Sequence, residues 1–467
     1  MTRKAMRDVI VMLPGITGSV LQRDGQDVWN ISGGAVLRAL LSLGGAIRQL
    51  ALAEDPPDAD DLGDGVTAPR IMHDVHLIPG LWKIDGYTKC VRHVNDVFDV
   101  EIGKNFFEFP YDWRRDNRVA ARKLARDSHT WLQAWRRESG AEDARLILVG
   151  HSMGGLVARY FLEVLGGWRD TRALVTFGTP YRGSLNAVGT LTNGLRKKIG
   201  PVGIDLSPMV RSFTSVYQLL PIYPCYDAGD GRLVRLAEAV MPNVDQAKAQ
   251  AALEFHREIE RAVTANRDDE EYRDRGYRIR PVVGTSQPTS QSARLAGSRI
   301  EMLRTYDGRD LGGDGTVPRV SATPIEVEAE TNAMFAAERH ASLQNDDPVL
   351  VQLTGILSGI DINHGAFRDA IPTIGLGLDL DDMYAPDEPI AVRITPERPP
   401  SQPLMVEVEN LETNTTVMRR TLRLHDDGSH QVDLDPLPES TYRLTAFGAG
   451  SIEPVTDLFV VLSDDSG

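Results

Sequence analysis

One short stretch constrains the fold of this chain most strongly, because it combines a strand, a sharp turn and a helix in direct succession. Leu146–Gly150 is an apolar run typical of a buried strand, and His151–Gly155 turns out of it into an apolar helical pattern. Ser152 stands in the turn, with a glycine two positions before it and another two positions after it. Small residues at these places let strand and helix approach closely around a strained serine, which is the pattern of a nucleophile elbow.

Strand-like and helical segments alternate along the chain, and this predicts a mainly parallel sheet with helices on both faces. The predicted strands are Asp8–Leu13, Phe106–Phe109, Leu146–Gly150, Ala173–Phe177, Arg278–Val283 and Arg299–Thr305. Helices are predicted from Asp116 or Asn117 to about Arg137, at Val244–Arg267 and at Pro348–Leu357. Together with the elbow, this alternation predicts an α/β-hydrolase fold.

Two insertions interrupt the predicted hydrolase domain, which spans residues 1–380. They lie near residues 29–80 and 190–275, and both are expected to form a mainly helical cap over a pocket. Within the first insertion, Ile31–Glu54 carries an apolar stripe at helical spacing. This helix either covers the pocket as a lid that meets lipid or packs on the core as an ordinary amphipathic helix.

The remaining residues, 381–467, have a different composition and are expected to form a second domain. They carry 6 basic and 17 acidic residues, which is −11 of the whole chain's net charge of −15. The alternating runs are Leu404–Glu409, Met418–Leu424, Gln431–Leu434, Tyr442–Ala446 and Leu458–Leu462. This pattern predicts a small acidic β-sandwich of immunoglobulin or fibronectin type. The prolines between Pro386 and Pro403 indicate a linker or edge before it.

Charge, cysteines and hydropathy exclude several classes of function. A net charge of −15 argues against nucleic-acid binding. Cys90 and Cys225 are too few for a disulfide framework; they are expected to be reduced, partly buried thiols, with a single bridge between them as the alternative. The pattern indicates no metal and no cofactor. No run approaches the roughly 20 apolar residues of a membrane span, and Val9–Leu13 is too short for a secretory signal. A cytoplasmic enzyme is the default expectation.

A nucleophilic serine needs a base to remove its proton and an acid to hold that base in the right tautomer. For the acid, Asp314 lies in a glycine-rich loop after a strand, with Asp307 and Asp310 as nearby alternatives. For the base, His340 stands in a loop just before the last predicted helix, and His364 follows that helix. His151 adjoins the serine but is expected to point away from it and to act through other residues.

A loop after the first strand is the candidate for a second oxyanion donor. Pro14 and Gly15 end the strand, and Gly18 lets the chain turn again before Ser19. In α/β-hydrolases a tight loop at this place supplies one backbone N–H, and the residue after the nucleophile supplies the other. The alternative is an ordinary strand–helix turn.

Several motifs in register give the chain a resemblance to a known family. They are PGITGS, PYDWR, GHSMGG, FGTPYRGS, SVYQLLP, GGDGTVP and the ERHASL segment. Over roughly Val9–Leu357 the chain resembles lecithin:cholesterol acyltransferase and the lysosomal phospholipases related to it. Carried over by position, the resemblance implies Ser152 as nucleophile, Asp314 as acid and His340 as base. It also implies the amides of Ile16 and Met153 as the oxyanion hole.

The resemblance further implies a cap that begins near Trp29 and a hydrophobic groove for an acyl chain. The family's disulfide-closed lid loop has no counterpart, since the matching region holds no cysteine pair.

These features predict a serine-dependent lipid ester hydrolase that acts through an acyl-serine intermediate. The expected partner is a lipid or other ester substrate, with transient contact to a membrane surface and a possible protein partner on the C-terminal sandwich. Transfer of the acyl group to an alcohol is the first alternative, because it uses the same residues. A hydrolase of soluble esters and a catalytically silent binding protein are the others.

Overall fold

The computed structural model describes the greater part of the chain. The described residues are 3–30, 49–73, 75–78, 82–199, 202–297, 299–327, 333–359, 374–400, 402–450 and 452–462.

A six-stranded sheet, parallel throughout, forms the centre of the described structure. In chain order its strands are β1 (Val9–Leu13), β2 (Phe106–Glu108), β3 (Leu146–His151), β4 (Thr171–Phe177), β5 (Arg278–Gly284) and β6 (Met334–Ala336). Across the sheet they lie in the order β6-β5-β4-β3-β1-β2. Because all six run in one direction, the loops that follow them meet at one edge of the sheet.

Helices cover both faces of this sheet. The covering helices are α1 (Thr88–Val97), α2 (Asn117–Ser139), α3 (Met153–Glu163) and α6 (Asp347–Leu357). Two further helices pack outside this layer, namely α4 (Leu185–Asn193) against the strand Arg299–Leu303 and α5 (Gln246–Asp268) against α3. Val9, Val11 and Leu13 of β1 pack into a core shared with α2 and α3, whereas Ile10 and Met12 pack with α1 and α6. Side chains alternate across a strand, so a strand with two covered faces is apolar throughout.

Smaller elements surround this centre. The peripheral strands are Lys4–Ala5, Leu21–Arg23, Gln26–Trp29, Val66–Thr67, His76–Ile78, Trp82–Ile84, Phe98–Asp99, Arg196–Ile199, Val202–Asp205, Tyr226–Asp227, Leu233–Val234, Ser292–Ala296 and Arg299–Leu303. Short helices occupy Ser207–Val210, Thr214–Gln218 and Glu270–Arg275, with 3₁₀ turns at Gly167–Asp170, Leu236–Glu238, Arg319–Ser321 and Leu343–Asn345.

One predicted strand of the central sheet belongs elsewhere. Arg299–Leu303 pairs antiparallel with Ser292–Ala296 in a separate four-stranded sheet. The physical reason is its burial, since Ile300 is buried while Arg299 and Glu301 are exposed. A strand covered on only one face suits an antiparallel sheet rather than the middle of a parallel one. The sixth central strand is instead β6, whose three residues are too short to give a sequence pattern.

The predicted helix over Ile31–Glu54 falls largely outside the described residues. Residues 31–48 are not described, and residues 49–54 form turns and irregular chain. The lid reading of this segment stays a prediction.

The C-terminal residues form two antiparallel-rich sheets around their own apolar core. Their strands are β7 (Leu376–Asp379), β8 (Met383–Tyr384), β9 (Ile390–Pro396), β10 (Met405–Asn410), β11 (Thr415–Thr421), β12 (Arg423–Leu424), β13 (His430–Leu434), β14 (Ser440–Phe447) and β15 (Val455–Val461). One sheet has the order β7-β9-β13-β12 and the other β8-β15-β14-β10-β11. The predicted α/β-hydrolase fold with a C-terminal sandwich is confirmed.

The prediction of a linker or edge in the proline-rich segment is wrong over Ile390–Pro396, because these residues form β9, which lies inside a sheet between β7 and β13. Ile390, Val392 and Ile394 are buried and the residues between them are exposed, which is the pattern of a half-buried strand. Pro389 precedes the strand and Pro396 ends it. Prolines at the ends of a strand leave the hydrogen bonds of its interior intact.

Candidate active site

Ser152 stands between β3 and α3 in a conformation that few serines adopt. Its φ is 51° and its ψ is −124°, and such strain persists only where the surroundings hold it. Its N–H donates to the carbonyl of Phe177 over 2.8 Å, and Thr179 Oγ1 donates to its carbonyl over 2.9 Å. The glycines of the elbow are required sterically, since a Cβ on Gly154 would lie 2.6 Å from the carbonyl oxygen of Leu13.

His340 lies between Ser152 and Asp314. Its Nε2 is 3.0 Å from Ser152 Oγ, and its Nδ1 is 2.8 Å from Asp314 Oδ2. An ionised carboxylate can only accept a hydrogen bond, so Nδ1 carries the proton and Nε2 accepts from the serine hydroxyl. The His340 backbone N–H also donates to the carbonyl of Asp314 over 2.8 Å. The structure therefore brings together the three residues that the family resemblance implies as nucleophile, acid and base.

Asp314 is fixed by its own loop. Its Oδ1 accepts hydrogen bonds from the backbone N–H groups of Thr316 and Val317, at 2.9 and 2.6 Å, which leaves Oδ2 facing the histidine. Of the two alternative acids, Asp307 is exposed in a turn, and Asp310 is exposed and accepts from Gln291. The alternative base His364 lies outside the described residues.

The position of Gly178 explains why the FGTPYRGS motif has a glycine there. Its φ is 55°, and a Cβ there would lie 2.8 Å from both Asp314 Oδ2 and His340 Nδ1. Any side chain at this position would push Asp314 and His340 apart, so their close approach needs glycine.

The Pro14–Ser19 loop lies directly against the serine. A Cβ on Gly15 would come within 2.9 Å of Ser152 Cβ. Among the described residues, no hydrogen-bond acceptor engages the backbone N–H of Ile16 or of Met153. Met153 opens α3, where an N–H has no partner within the helix. Both amides are thus available as donors, as an oxyanion hole requires.

The PYDWR motif holds this loop in place, a role that the sequence did not indicate. Tyr111 donates through its hydroxyl to the carbonyl of Pro14 over 2.8 Å, and Trp113 Nε1 donates to the carbonyl of Ser19 over 3.0 Å. The Ser19 hydroxyl in turn accepts from the Tyr111 backbone N–H. Because both aromatic side chains are buried, these hydrogen bonds anchor the loop to the protein interior.

Sequence reasoning also missed Tyr87, which connects the Pro14–Ser19 loop through His151 to the backbone of His340. The Gly15 N–H donates to the Tyr87 hydroxyl, which lies 2.9 Å from His151 Nδ1, and His151 Nε2 lies 3.1 Å from the carbonyl of His340. A carbonyl only accepts, so Nε2 carries the proton and Tyr87 donates to Nδ1. Burial, with a smaller effect of His340, lowers the pKa of His151 to about 3 and keeps this ring neutral. His151 thus links the Tyr87 hydroxyl to the His340 backbone, and its expected action through other residues stays a prediction.

Replacing Tyr87 with phenylalanine should destabilise the protein by about 1–3 kcal/mol, because the Gly15 N–H and His151 Nδ1 would both be buried without a partner. Urea unfolding followed by circular dichroism measures the change. Tyr226→Phe is the matched control, since Tyr226 is a buried tyrosine outside this chain of hydrogen bonds. Equal stability of the two variants would contradict the linking role of Tyr87.

A cavity of about 380 Å³ opens beside the serine. Its lining includes apolar side chains from residues 190–275, from α4 and from other segments around the sheet: Ile16, Leu185, Leu195, Val216, Leu219 and Met302. Besides Asp314, four charged residues also line it, namely Lys83, Arg339, Asp382 and Asp457. The last two belong to the C-terminal sandwich, whose contribution to the cavity the sequence did not indicate.

Cys90 and Cys225 are buried free thiols, and burial raises the pKa of the Cys90 thiol to about 12. Within the described ranges, no group of His, Cys, Asp and Glu side chains is arranged to hold a metal ion. Nor does any described helix have the length and apolar character needed to span a bilayer.

Solved structures that match this chain include two forms of one lipase and a phospholipase. The mature form of the Bacillus licheniformis lipase BlEst2 is 11% identical, with 76% of this chain and 94% of that chain covered and a TM-score of 0.34. Its propeptide form is also 11% identical, with 97% and 74% covered and a TM-score of 0.34. Phospholipase PlaB from Legionella pneumophila is 10% identical, with 83% and 89% covered and a TM-score of 0.25.

No protein with a curated function matches the sequence. The sequence model of a protein family does match it, over residues 81–268, and its description is lecithin:cholesterol acyltransferase. The matched segment contains the PYDWR, GHSMGG and FGTPYRGS motifs. The resemblance of this chain to the lecithin:cholesterol acyltransferase family is thereby confirmed over residues 81–268.

Proposed function

We propose that this protein is a serine-dependent hydrolase of lipid esters, and that Ser152, His340 and Asp314 are its nucleophile, base and acid. The observation that carries the proposal is the continuous pair of contacts from Ser152 Oγ through the imidazole of His340 to Asp314 Oδ2, at 3.0 and 2.8 Å. A serine hydroxyl becomes nucleophilic when a neutral imidazole accepts its proton, and a carboxylate stabilises the imidazolium that forms. All three groups stand beside the cavity.

The proposed reaction has two halves. Ser152 Oγ attacks the ester carbonyl carbon while His340 Nε2 takes the hydroxyl proton, and a tetrahedral oxyanion forms. Its collapse breaks the bond to the leaving alcohol, which takes the proton from His340 and leaves an acyl-serine. Water then gives a proton to His340 and attacks the acyl carbon. The second collapse frees the fatty acid, and Ser152 recovers its proton.

The backbone N–H groups of Ile16 and Met153 are proposed to stabilise both oxyanions. Neither N–H has an acceptor among the described residues, and the loop that carries Ile16 is anchored next to the serine. Removing one such donor typically costs about 2.7–4 kcal/mol of transition-state stabilisation. No step of this mechanism calls on a metal or a cofactor.

Two observations favour a lipid ester over a small polar ester. Apolar side chains make up much of the cavity lining, as an acyl chain requires. The matching family is named for acyl transfer from a phospholipid to an alcohol. The same name favours an alcohol as a second acceptor in place of water, since the acyl-serine reacts with either. Contact with a membrane surface and a protein partner on the sandwich stay predictions.

Labelling with a fluorophosphonate, followed by peptide mapping, should place the probe on Ser152. Phospholipid vesicles should then yield free fatty acid, and adding a lipophilic alcohol shows whether part of the acyl group appears as a new ester. Long-chain esters in micelles should turn over faster than short-chain esters in solution. Faster turnover of the short soluble esters would favour the soluble-ester hydrolase, and a folded protein without labelling would favour the silent binding protein.

A further inference from the structure

The C-terminal sandwich contacts both loops that carry the proposed acid and base. Thr456 and Asp457 of β15 face Glu338 and Arg339, the two residues just before His340. Leu376 and Leu378 of β7 contact the acid loop through one buried glutamine. The six-stranded sheet is complete without these contacts. What they do is connect the sandwich to the two loops of the proposed active site. The following argument rests on the proposed function.

At the base loop, two consecutive residues of the sandwich hold two consecutive residues of the hydrolase domain. The Thr456 N–H donates to Glu338 Oε1 over 3.0 Å, and the same oxygen accepts the Arg339 N–H over 2.7 Å. Arg339 Nε lies 2.9 Å from Asp457 Oδ2, and Arg339 Nη1 donates to the carbonyl of Leu378 over 2.6 Å. The residue before His340 is therefore held at two points by the sandwich.

Asp457 is the centre of this arrangement. It is fully buried, and its Oδ1 lies 3.0 Å from Nζ of Lys83, which also contacts Asp382. One buried carboxylate thus binds two cations of the hydrolase domain, both of which line the cavity. A buried charge is retained only where it is paired, so these contacts are mutually dependent.

At the acid loop, Gln287 connects the hydrolase domain to the sandwich, as Asp457 does at the base loop. Its backbone N–H donates to the carbonyl of Gly313, next to Asp314, over 3.0 Å. Its side-chain amide donates to the carbonyl of Leu376 over 2.8 Å and accepts the Leu378 N–H over 3.1 Å. The buried amide pairs with the edge of β7 as a further strand would, and it connects that edge to the acid.

We propose that the C-terminal sandwich is a working part of the active site, and that Asp457 is a positioning residue that fixes the loop of His340 through Arg339. Chemistry depends on the distance between Ser152 Oγ and His340 Nε2, and a misplacement of about 1 Å can cost about 100-fold in rate. A loop held only by its own chain would sample more positions. The sandwich limits that freedom from outside the hydrolase domain.

The test is Asp457→Asn in the full-length chain, with p-nitrophenyl butyrate as a soluble substrate. We expect kcat to fall about 10- to 100-fold, KM to change less than threefold, and the rate of fluorophosphonate labelling to fall in parallel with kcat. Asp435→Asn is the matched control, because Asp435 is an exposed aspartate of the sandwich that pairs with Arg420. It should leave kcat, KM and labelling unchanged.

A double-mutant cycle shows whether Asp457 acts through Arg339. If it does, Asp457→Asn combined with Arg339→Gln should be no slower than the slower single variant, because both remove the same contact. Arg339→Lys, which keeps the charge but loses one contact, should retain more kcat than Arg339→Gln. If Asp457→Asn does not fold, the two Arg339 variants provide the test instead. A wild-type kcat in both Arg339→Lys and Arg339→Gln would overturn the proposal.

Three results would overturn the positioning role. They are a kcat for Asp457→Asn within twofold of wild type despite lower stability, effects that multiply in the double variant, and a rise in activity. The last result would mean that the sandwich restrains the site instead of positioning it. If the wild type is labelled normally and Asp457→Asn keeps the wild-type kcat, only the positioning role of Asp457 is refuted, and the proposed function stands. Failure to label the wild type removes the proposed function and this role with it.

Discussion

Substitution of Ser152 by alanine is expected to lower kcat about 10⁶-fold and to abolish fluorophosphonate labelling, because loss of the nucleophile removes the acyl-serine route altogether. The fold should survive the change. Alanine occupies the same backbone position at φ 51° with a smaller side chain, and the N–H and carbonyl contacts of residue 152 to Phe177 and Thr179 are backbone contacts that remain. Hydrolysis of p-nitrophenyl butyrate and circular dichroism measure the two effects.

The matched control is Ser128→Ala, which removes a buried serine hydroxyl from α2, away from the cavity. It should keep both turnover and labelling. Residual hydrolysis by Ser152→Ala near the wild-type rate would sink the proposed mechanism, whatever product the enzyme makes. Loss of labelling with unchanged biological activity would instead support a binding protein that retains a reactive serine.

Asp314→Asn should lower kcat about 10⁴-fold while leaving the protein folded. The asparagine oxygen would accept the N–H groups of Thr316 and Val317, which donate to Asp314 Oδ1 in the structure. Its NH₂ group would then face His340 Nδ1, which has to accept. The imidazole proton moves to Nε2, where it faces Ser152 Oγ, and the ring can no longer take the serine proton.

Asp307→Asn is the control for this variant, since Asp307 is an exposed aspartate in the preceding turn and asparagine tolerates its φ of 49°. Single-turnover kinetics should show normal acylation in the control and slow acylation in Asp314→Asn. If Asp307→Asn were the slower variant, the acid would have to be reassigned, and the contact between Asp314 and His340 would be structural only.

Local sequence was sufficient to predict Ser152 and its surroundings, because the elbow depends on neighbours within a few residues. Gly150 and Gly154 allow the close approach of strand and helix, and the structure shows no room for a side chain at either position. The strands β3 and β4, before and after the elbow helix, were predictable because they are almost entirely buried and contain the apolar runs Leu146–Val149 and Ala173–Val175. Where one face is open, as at Arg299–Leu303, a strand pattern did not reveal which sheet it joins.

The sequence by itself determined the fold class, the positions along the chain of the strands up to the elbow, and the residue types needed for a serine nucleophile. Only the tertiary structure decided which acid and which histidine meet that serine, because residues 152, 314 and 340 are joined by crossover connections whose geometry no local pattern encodes. The same holds for Tyr87 and Asp457. Each contacts residues that are far away in the sequence and come close only in the folded protein. Its role therefore cannot be predicted from the residues next to it in the chain.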